Sequence, residues 1–167
     1  ELRFVFPVGL PPEGVTSLLA ALQKKYPHLS LRVHSSEDPL RGLLEDVDVA
    51  VHFGTRSPPG SWVSYELLRV REWLLASPEY LRRRGVPQTP DELAEHDLLA
   101  WDCPDGDPTI WPTRQGTTLR VAPRMISPDI HMLRGCAAAG MGIAFLPDAG
   151  IPQLDTRADG VVPVLPD

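Results

Sequence analysis

The feature that most restricts the fold is an alternation of strand-like and helix-like segments with short connections in the first third of the chain. Residues 2–8, LRFVFPV, are apolar and rich in β-formers, and LSLRVH at 29–34 alternates as a strand does. Between them, apolar residues recur at helical spacing over 15–26. A second amphipathic segment over 38–47 leads to a third strand at 48–53. This order predicts a parallel sheet covered by helices.

The rest of the chain continues this alternation without a separating linker. A strand over 67–76 leads to two short helices at 78–84 and 90–96, each opened by proline after Ser or Thr. The further predicted elements are strands at 98–101, 143–146 and 161–165, an extended hairpin over 109–126 with a turn near Gln115-Gly116, and a helix capped by Ser127-Pro128-Asp129. We therefore predict two α/β units, joined by crossovers near 70–72 and 161–167.

Gly140 and Gly142, within RGCAAAGMGIAFLP at 134–147, resemble the glycines of a phosphate-binding loop. Such a loop follows a strand and opens a helix, because the helix N-terminus supplies free N–H groups. Here the helix precedes the glycines and the strand IAFL follows them. The order therefore predicts that Gly140 ends a helix and that no nucleotide phosphate binds there.

Composition and charge exclude several classes of function. The net charge of −6 argues against binding of nucleic acid by this chain alone, since such proteins usually carry a basic face. No apolar run approaches the length of a membrane span. The two cysteines, Cys103 and Cys136, do not make a disulfide framework, so a reducing cytoplasm is the simplest setting.

The chain contains no recognisable catalytic or metal-binding motif. Its histidines lack metal-ligand spacing, and the acidic stretch DCPDGD at 102–107 lacks the EF-hand pattern. There is no GxSxG motif and no local Cys/His signature. We expect Cys136 to be a small buried residue and Trp111 to belong to the core, whereas Trp101 ends a strand and is expected to line a pocket. We predict no catalytic residue, no metal and no cofactor.

After these exclusions, binding of a small molecule is the function class that remains. Open α/β sheets bind ligands at the carboxyl ends of their strands. Three such places precede or begin a helix, at 7–13, 34–37 and 127–130. Each is expected to offer N–H groups to a small anion, and Ser36 and Ser127 add hydroxyl groups. Two lobes that face each other would form a cleft there.

Several motifs, in this order and spacing, resemble the effector-binding (regulatory) domain of LysR-type transcriptional regulators over nearly the whole chain. They are LRF at 2–4, KKYPHLSLRV at 24–33, DVDVAVHFG at 46–54, LLASPEYLRRRGVPQTPDEL at 74–93, the step His96-Asp97-Leu98-Leu99, AAAGMGIAFLP at 137–147 and DGVVPVLPD at 159–167. The ASPEYL and AGMGIAFLP segments are the most specific of these.

The resemblance implies an α/β fold of the type 2 periplasmic-binding-protein class, with two Rossmann-like subdomains joined by two crossover strands. Subdomain I would comprise 1–71 plus 162–167, and subdomain II 72–161. Relatives continue with another strand and a helix, so we expect the C-terminal part of the first lobe to be missing from this chain. The N-terminal winged helix-turn-helix is likewise absent from it.

The resemblance also implies a bacterial, cytoplasmic regulator with no membrane attachment and no enzymatic activity. A small-molecule effector would bind in the cleft, and DNA would be bound only by the absent N-terminal domain. Such proteins assemble as homodimers or tetramers, here expected through helices 13–26 and 129–139.

The effector site of the family carries over by position to residues at the ends of strands in both lobes. These residues are Val8, Gly9, Leu10, Ser36, Trp101, Asp102, Ser127, Asp129, Phe145 and Leu146. Many relatives have Ser or Thr near Gly9, whereas GLPP at 9–12 offers only the backbone N–H groups of Gly9 and Leu10.

Other functions stay open at this point. A free-standing solute-binding protein of the same fold would carry a leader peptide on the full gene. An enzyme on this scaffold would need an acid, base or nucleophile that the sequence does not reveal. A redox-sensing variant would depend on Cys103. The effector could be an aromatic acid, an amino acid or a neutral metabolite.

Overall fold

The structure is a computed structural model that describes residues 1–41, 47–58, 60–67, 69–113, 116–148 and 160–165. The chain divides into two units, 1–64 and 65–167. The helices and strands are β1 (Leu2–Pro7), α1 (Pro12–Lys25), β2 (Leu31–Ser36), β3 (Val49–Ala50), β4 (Arg71–Ala76), α2 (Pro78–Arg84), a 3₁₀ helix (Pro90–Glu95), β5 (Leu98–Trp101), β6 (Ile110–Pro112), β7 (Thr118–Arg120), β8 (Met125–Ser127), α3 (Ile130–Ala138), β9 (Ile143–Asp148) and β10 (Val162–Val164).

The first unit contains the parallel sheet that the sequence predicts, with strand order β2-β1-β3. The central strand is the most buried one, with Phe4, Val5 and Phe6 in the core. Phe4 and Phe6 alternate onto one face of the strand, where their rings stack with centroids 5.7 Å apart. Residues 2–7 pair in register with 31–36, so the carboxyl ends of β1 and β2 lie side by side.

Helix α1 begins and ends where the sequence predicts. Pro12 occupies the first turn, Glu13 lies at the positive end of the helix dipole, and Lys24 and Lys25 lie at its negative end. All residues of this helix are described and none is buried, so its apolar side chains, such as Leu18, remain accessible.

The second unit contains a mixed sheet with strand order β10-β4-β9-β5-β8. Strand β5 is parallel to both β8 and β9, whereas β4 is antiparallel to β9 and β10. Helix α3 packs on one face through Leu133 and Ala137, which are fully buried. The other face carries a hydrophobic cluster that includes Tyr80, Leu98 and Trp111. Trp111 is 4% exposed, which confirms that it belongs to the core.

The glycine turn between α3 and β9 has the predicted structural role. Gly140 has a φ of +76°, and its N–H donates to the carbonyl of Ala137, as at a helix end. Gly142 is required for a different reason, because a Cβ there would clash with the carbonyl of Asp97. The predicted helix stop is confirmed.

Some boundaries differ from the prediction. The segment at 90–96 forms a 3₁₀ helix, in which the N–H of His96 donates to the carbonyl of Leu93. The stretch 109–126 divides, since β6 and β7 form the antiparallel hairpin while β8 pairs with β5. Cys136 is half-buried rather than buried. Most of the predicted helix at 38–47 lies outside the described residues.

The division into two units falls between Ser64 and Tyr65, ahead of the predicted boundary at residue 71. Strand β10 pairs with 74–76 of β4 and therefore lies in the second unit over the residues described. The sequence assigns 162–167 to subdomain I, so that the chain would return to the first lobe in this segment. That assignment stays a prediction.

Candidate functional site

The carboxyl end of the first sheet brings together the residues predicted from the first lobe. The N–H of Val8 donates to the carbonyl of Ser36 at 3.0 Å, which joins the segment after β1 to the end of β2. Val8, Gly9, Leu10 and Ser36 are all half-buried. Gly9 has a φ of +86°, a conformation that turns the chain sharply out of the sheet.

The donors in the loop after β1 are backbone groups, as the sequence predicts. Pro12 has no N–H, and the N–H groups of Gly14 and Val15 both approach the carbonyl of Pro11. Within the described part of the chain, the N–H groups of Gly9 and Leu10 donate no hydrogen bond. These two groups are therefore the donors that the loop after β1 can offer to a ligand.

Arg56 and Asp38 form an ion pair at the same edge that the sequence reading missed. Arg56 Nη2 donates to Asp38 Oδ1 at 2.7 Å, and Nη1 donates to Oδ2 at 3.2 Å. The hydrogen bond from Arg56 is the main cause that lowers the pKa of Asp38 below its usual value. The sequence feature that could have predicted this ion pair is a negative charge after β2 and a positive charge after β3. The carboxyl ends of these two parallel strands lie at the same edge of the sheet, so the two charges can meet.

The carboxyl end of the second sheet brings together Trp101, Asp102 and Ser127. Trp101 and Ser127 are paired in register between β5 and β8, and the N–H of Asp102 donates to the carbonyl of Ser127 at 2.9 Å. Trp101 is half-buried and Asp102 is exposed. Ser127 is 7% exposed, so its hydroxyl is held in a largely dehydrated position.

Asp129 acts as the cap of α3. Its Oδ1 accepts from the N–H groups of His131 and Met132 at 2.9 and 3.1 Å, and its own N–H donates to Ser127 Oγ at 3.1 Å. The chain's own carboxylate thus occupies N–H groups that the sequence reading assigned to an external anion. That expectation is wrong for this helix start as it stands in the structure.

Phe145 and Leu146 point to opposite faces of the second sheet, because neighbouring residues in a strand alternate. Phe145 is paired with Ala100 and its ring lies 5.1 Å from that of Trp111, so it belongs to the face that carries the hairpin. Leu146 is fully buried, so its side chain offers no surface to a ligand in this structure.

The two edges differ in charge. The loop after β5 carries Asp102, Asp105 and Asp107, and residues 101–109 contain no Lys or Arg. Asp107 accepts hydrogen bonds from the Thr109 hydroxyl and N–H at 2.6 and 2.8 Å, and these bonds lower its pKa. The edge of the first sheet, by contrast, carries the guanidinium of Arg56 together with the carboxylates of Glu37 and Asp38.

Among the described residues, no three His, Cys, Asp or Glu side chains are grouped so that they could hold a metal ion. None of the helices in the described ranges is long and apolar enough to cross a membrane. A shallow depression of about 540 Å³ is lined by 25–29, at the C-terminal end of α1, and contains none of the predicted site residues.

Comparisons with known proteins agree on one family. The family model described as LysR substrate binding domain matches residues 1–167. The HTH-type transcriptional regulator CrgA of Neisseria meningitidis serogroup C (strain 8013) is 32% identical over 157 residues, which are 90% of this chain and 52% of that protein. The chain spans about half the length of the curated relatives it matches.

Two solved structures are similar over almost the entire chain. The regulatory domain of CrgA from Neisseria meningitidis, a LysR-type transcriptional regulator, has 27% identity and a TM-score of 0.78, covering 98% of this chain and 80% of that one. The full-length Vibrio cholerae virulence activator AphB has 25% identity and a TM-score of 0.81, and the similarity covers 99% of this chain and 56% of that one.

Proposed function

The chain belongs to the family of LysR substrate binding domains, and from this we propose that it senses a small-molecule effector and passes the signal to a DNA-binding domain elsewhere in the full protein. Its structural neighbours are LysR regulatory domains, so the type 2 periplasmic-binding-protein-like fold expected from the sequence is confirmed. The named relatives are HTH-type transcriptional regulators, which does not favour a free-standing solute-binding protein.

We place the effector at the carboxyl ends of the strands in both units. The observation that carries this proposal is that the site residues adjoin in each unit: Val8 bonds to Ser36 in the first and Asp102 to Ser127 in the second. The first unit offers N–H groups and the Ser36 hydroxyl, and in the second unit Ser127 is paired with the half-buried Trp101; groups of these kinds suit a small polar metabolite. Trp101 and Phe145 supply the apolar contacts, and Leu146, buried on the opposite face of the sheet, makes none.

The signal requires two arrangements of the protein with different affinity for the effector. We propose that the full protein assembles as a dimer or tetramer through 13–26 and 129–139, where Leu18 and Met132 are exposed apolar side chains. Binding would change the population of these arrangements and so change DNA binding by the separate domain. The proposed setting is the bacterial cytoplasm, without enzymatic activity.

The test begins with the compound that co-purifies with the protein, identified by native mass spectrometry. Ser36→Ala and Ser127→Ala should each weaken its binding two- to ten-fold, since one hydrogen bond contributes about 0.5–1.5 kcal/mol. Ser64→Ala, at an exposed serine, is the matched control. If both variants bind the compound as tightly as the control while remaining folded, the site has been placed wrongly.

A redox branch depends on Cys103, which is half-buried in the loop after β5. Cys103→Ser should abolish an oxidant response of the regulator if that branch holds. An unchanged response removes it and leaves effector sensing as the function.

A further inference from the structure

The ion pair between Asp38 and Arg56 bears on the chemical class of the effector. Asp38 lies just after β2, and Arg56 lies in the segment after β3. Because β1 is the central strand of the sheet, the pair links the segments that leave the two outer strands, on either side of the loop at 8–10. The guanidinium is thus held at the edge where Gly9 and Leu10 present their N–H groups.

The groups at the two edges differ in what they offer an anion. Arg56 and the backbone N–H groups of Gly9 and Leu10 are donors at the first edge, where the segment after β2 also carries Glu37 and Asp38, whereas the loop after β5 carries Asp102, Asp105 and Asp107 and no Lys or Arg. A guanidinium presents two parallel N–H groups, which match the two oxygens of a carboxylate. Asp38 already satisfies Arg56 in this two-pronged geometry, so an effector carboxylate would meet the same donors in the same arrangement.

The pair is accessible enough to change partners. The side chains of Arg56 and Asp38 are 43% and 23% exposed, and ion pairs open to solvent are weakly held. Asp38 Oδ1 also accepts from the N–H of Leu40 at 3.1 Å, so its carboxylate keeps a partner when the guanidinium turns away. The guanidinium then exchanges one carboxylate partner for another, while Asp38 keeps the N–H of Leu40.

We propose that Arg56 determines effector specificity by exchanging the carboxylate of Asp38 for a carboxylate of the effector. This inference rests on the proposed function, since it assigns the effector of that site to the carboxylic acids. Asp38 acts as the internal competitor that holds the guanidinium in place when the site is empty.

The experiment compares acids with their amides in the 167-residue chain. Acetate, succinate, benzoate and 3-phenylpropionate are each titrated beside the corresponding amide by calorimetry. At least one acid should bind about ten-fold more tightly than its amide. Arg56→Gln should abolish that preference. Asp38→Asn should strengthen binding of the acid several-fold, because the competing carboxylate is gone while the amide oxygen still accepts from Leu40.

The chain supplies a matched control pair. Arg3 and Asp48 form a similar two-pronged ion pair at the amino end of the same sheet, with contacts of 3.2 and 3.1 Å. Arg3→Gln and Asp48→Asn should leave both acid and amide binding as in the wild type.

The outcomes separate this inference from the proposed site. Equal binding of acid and amide, no binding of any acid, or a preference that survives Arg56→Gln overturns the partner exchange. Equal binding that falls in Ser36→Ala overturns the exchange but supports the proposed site. An acid preference that depends on Arg56 and is unaffected by Ser36→Ala and Ser127→Ala supports the exchange but places the effector site elsewhere.

Discussion

Gly142 has no room for a side chain, because a Cβ built on it would clash with the backbone carbonyl of Asp97. That carbonyl also accepts from the N–H of Ile143 at 2.9 Å, so it is fixed by the sheet and cannot move away. Gly142→Ala should therefore lower the free energy of unfolding by about 2–3 kcal/mol through overpacking. Urea denaturation of the purified chain measures this change.

Two neighbouring glycines separate steric conflict from backbone strain. A Cβ at Gly140 would lie 3.5 Å from Ser77 Oγ, so Gly140→Ala meets only the strain of its positive φ, about 1 kcal/mol. Gly135 lies inside α3 with open space around it, so Gly135→Ala should stabilise the chain by about 0.5–1 kcal/mol. If Gly142→Ala lowers the free energy of unfolding no more than Gly140→Ala does, the steric explanation is contradicted.

At the scale of elements, α2 is joined to β5 through the buried hydroxyl of Tyr80. This oxygen accepts from the N–H of Asp97 at 2.9 Å and lies 3.2 Å from His96 Nδ1. Which of the two atoms donates depends on the imidazole tautomer: with the proton on Nε2, the Tyr80 hydroxyl donates to Nδ1. Burial, and after it the charge of Arg84, lower the pKa of His96, while Glu92, Glu95 and Asp97 oppose the shift.

The lowered pKa of His96 makes stability depend on pH. The unfolded chain binds a proton at His96 near pH 6.5, whereas the folded chain binds it only at lower pH, so stability falls as pH decreases through that window. His96→Gln should reduce the loss between pH 7.5 and 5.5, since Gln accepts from the Tyr80 hydroxyl without titrating. Urea midpoints across this range provide the measurement.

Arg84→Gln tests the cause of the shift. It should reduce the pH dependence without abolishing it, because burial of His96, the larger cause, remains. If the urea midpoints of the wild-type chain and of the His96→Gln variant change equally with pH, His96 does not titrate in this window.

Elements set by neighbouring residues were predictable from the sequence. Pro12, Ser77 and Asp129 fix the starts of the three α-helices through local geometry and capping, and Gly140 ends the last one. The pairing of Asp38 with Arg56 was not predictable in the same way, because it depends on the order of strands in the sheet. The predicted capping role of Asp129 is confirmed, whereas its contact with a ligand stays a prediction, because a carboxylate at a helix start fits both roles.

At the scale of the whole molecule, the two units differ in how much apolar surface they bury. The buried side chains of the described first unit are few and centre on Phe4, Val5 and Phe6, and α1 contributes none. In the second unit Leu98, Leu99, Leu133, Ile143 and Leu146 are at most 2% exposed. Local stability follows buried apolar contacts, so the first unit should open more readily.

Hydrogen exchange on the 167-residue chain checks this difference. Amides of β5 and β9 should exchange at least about ten-fold more slowly than those of β2, which among the described strands pairs only with β1 and is largely exposed. An effector bound at the proposed site should slow exchange in β1 and β2 most, because a ligand stabilises the folded state by an amount that grows with its concentration. Exchange in β2 as slow as in β9 without any ligand would contradict this distribution of stability between the two units.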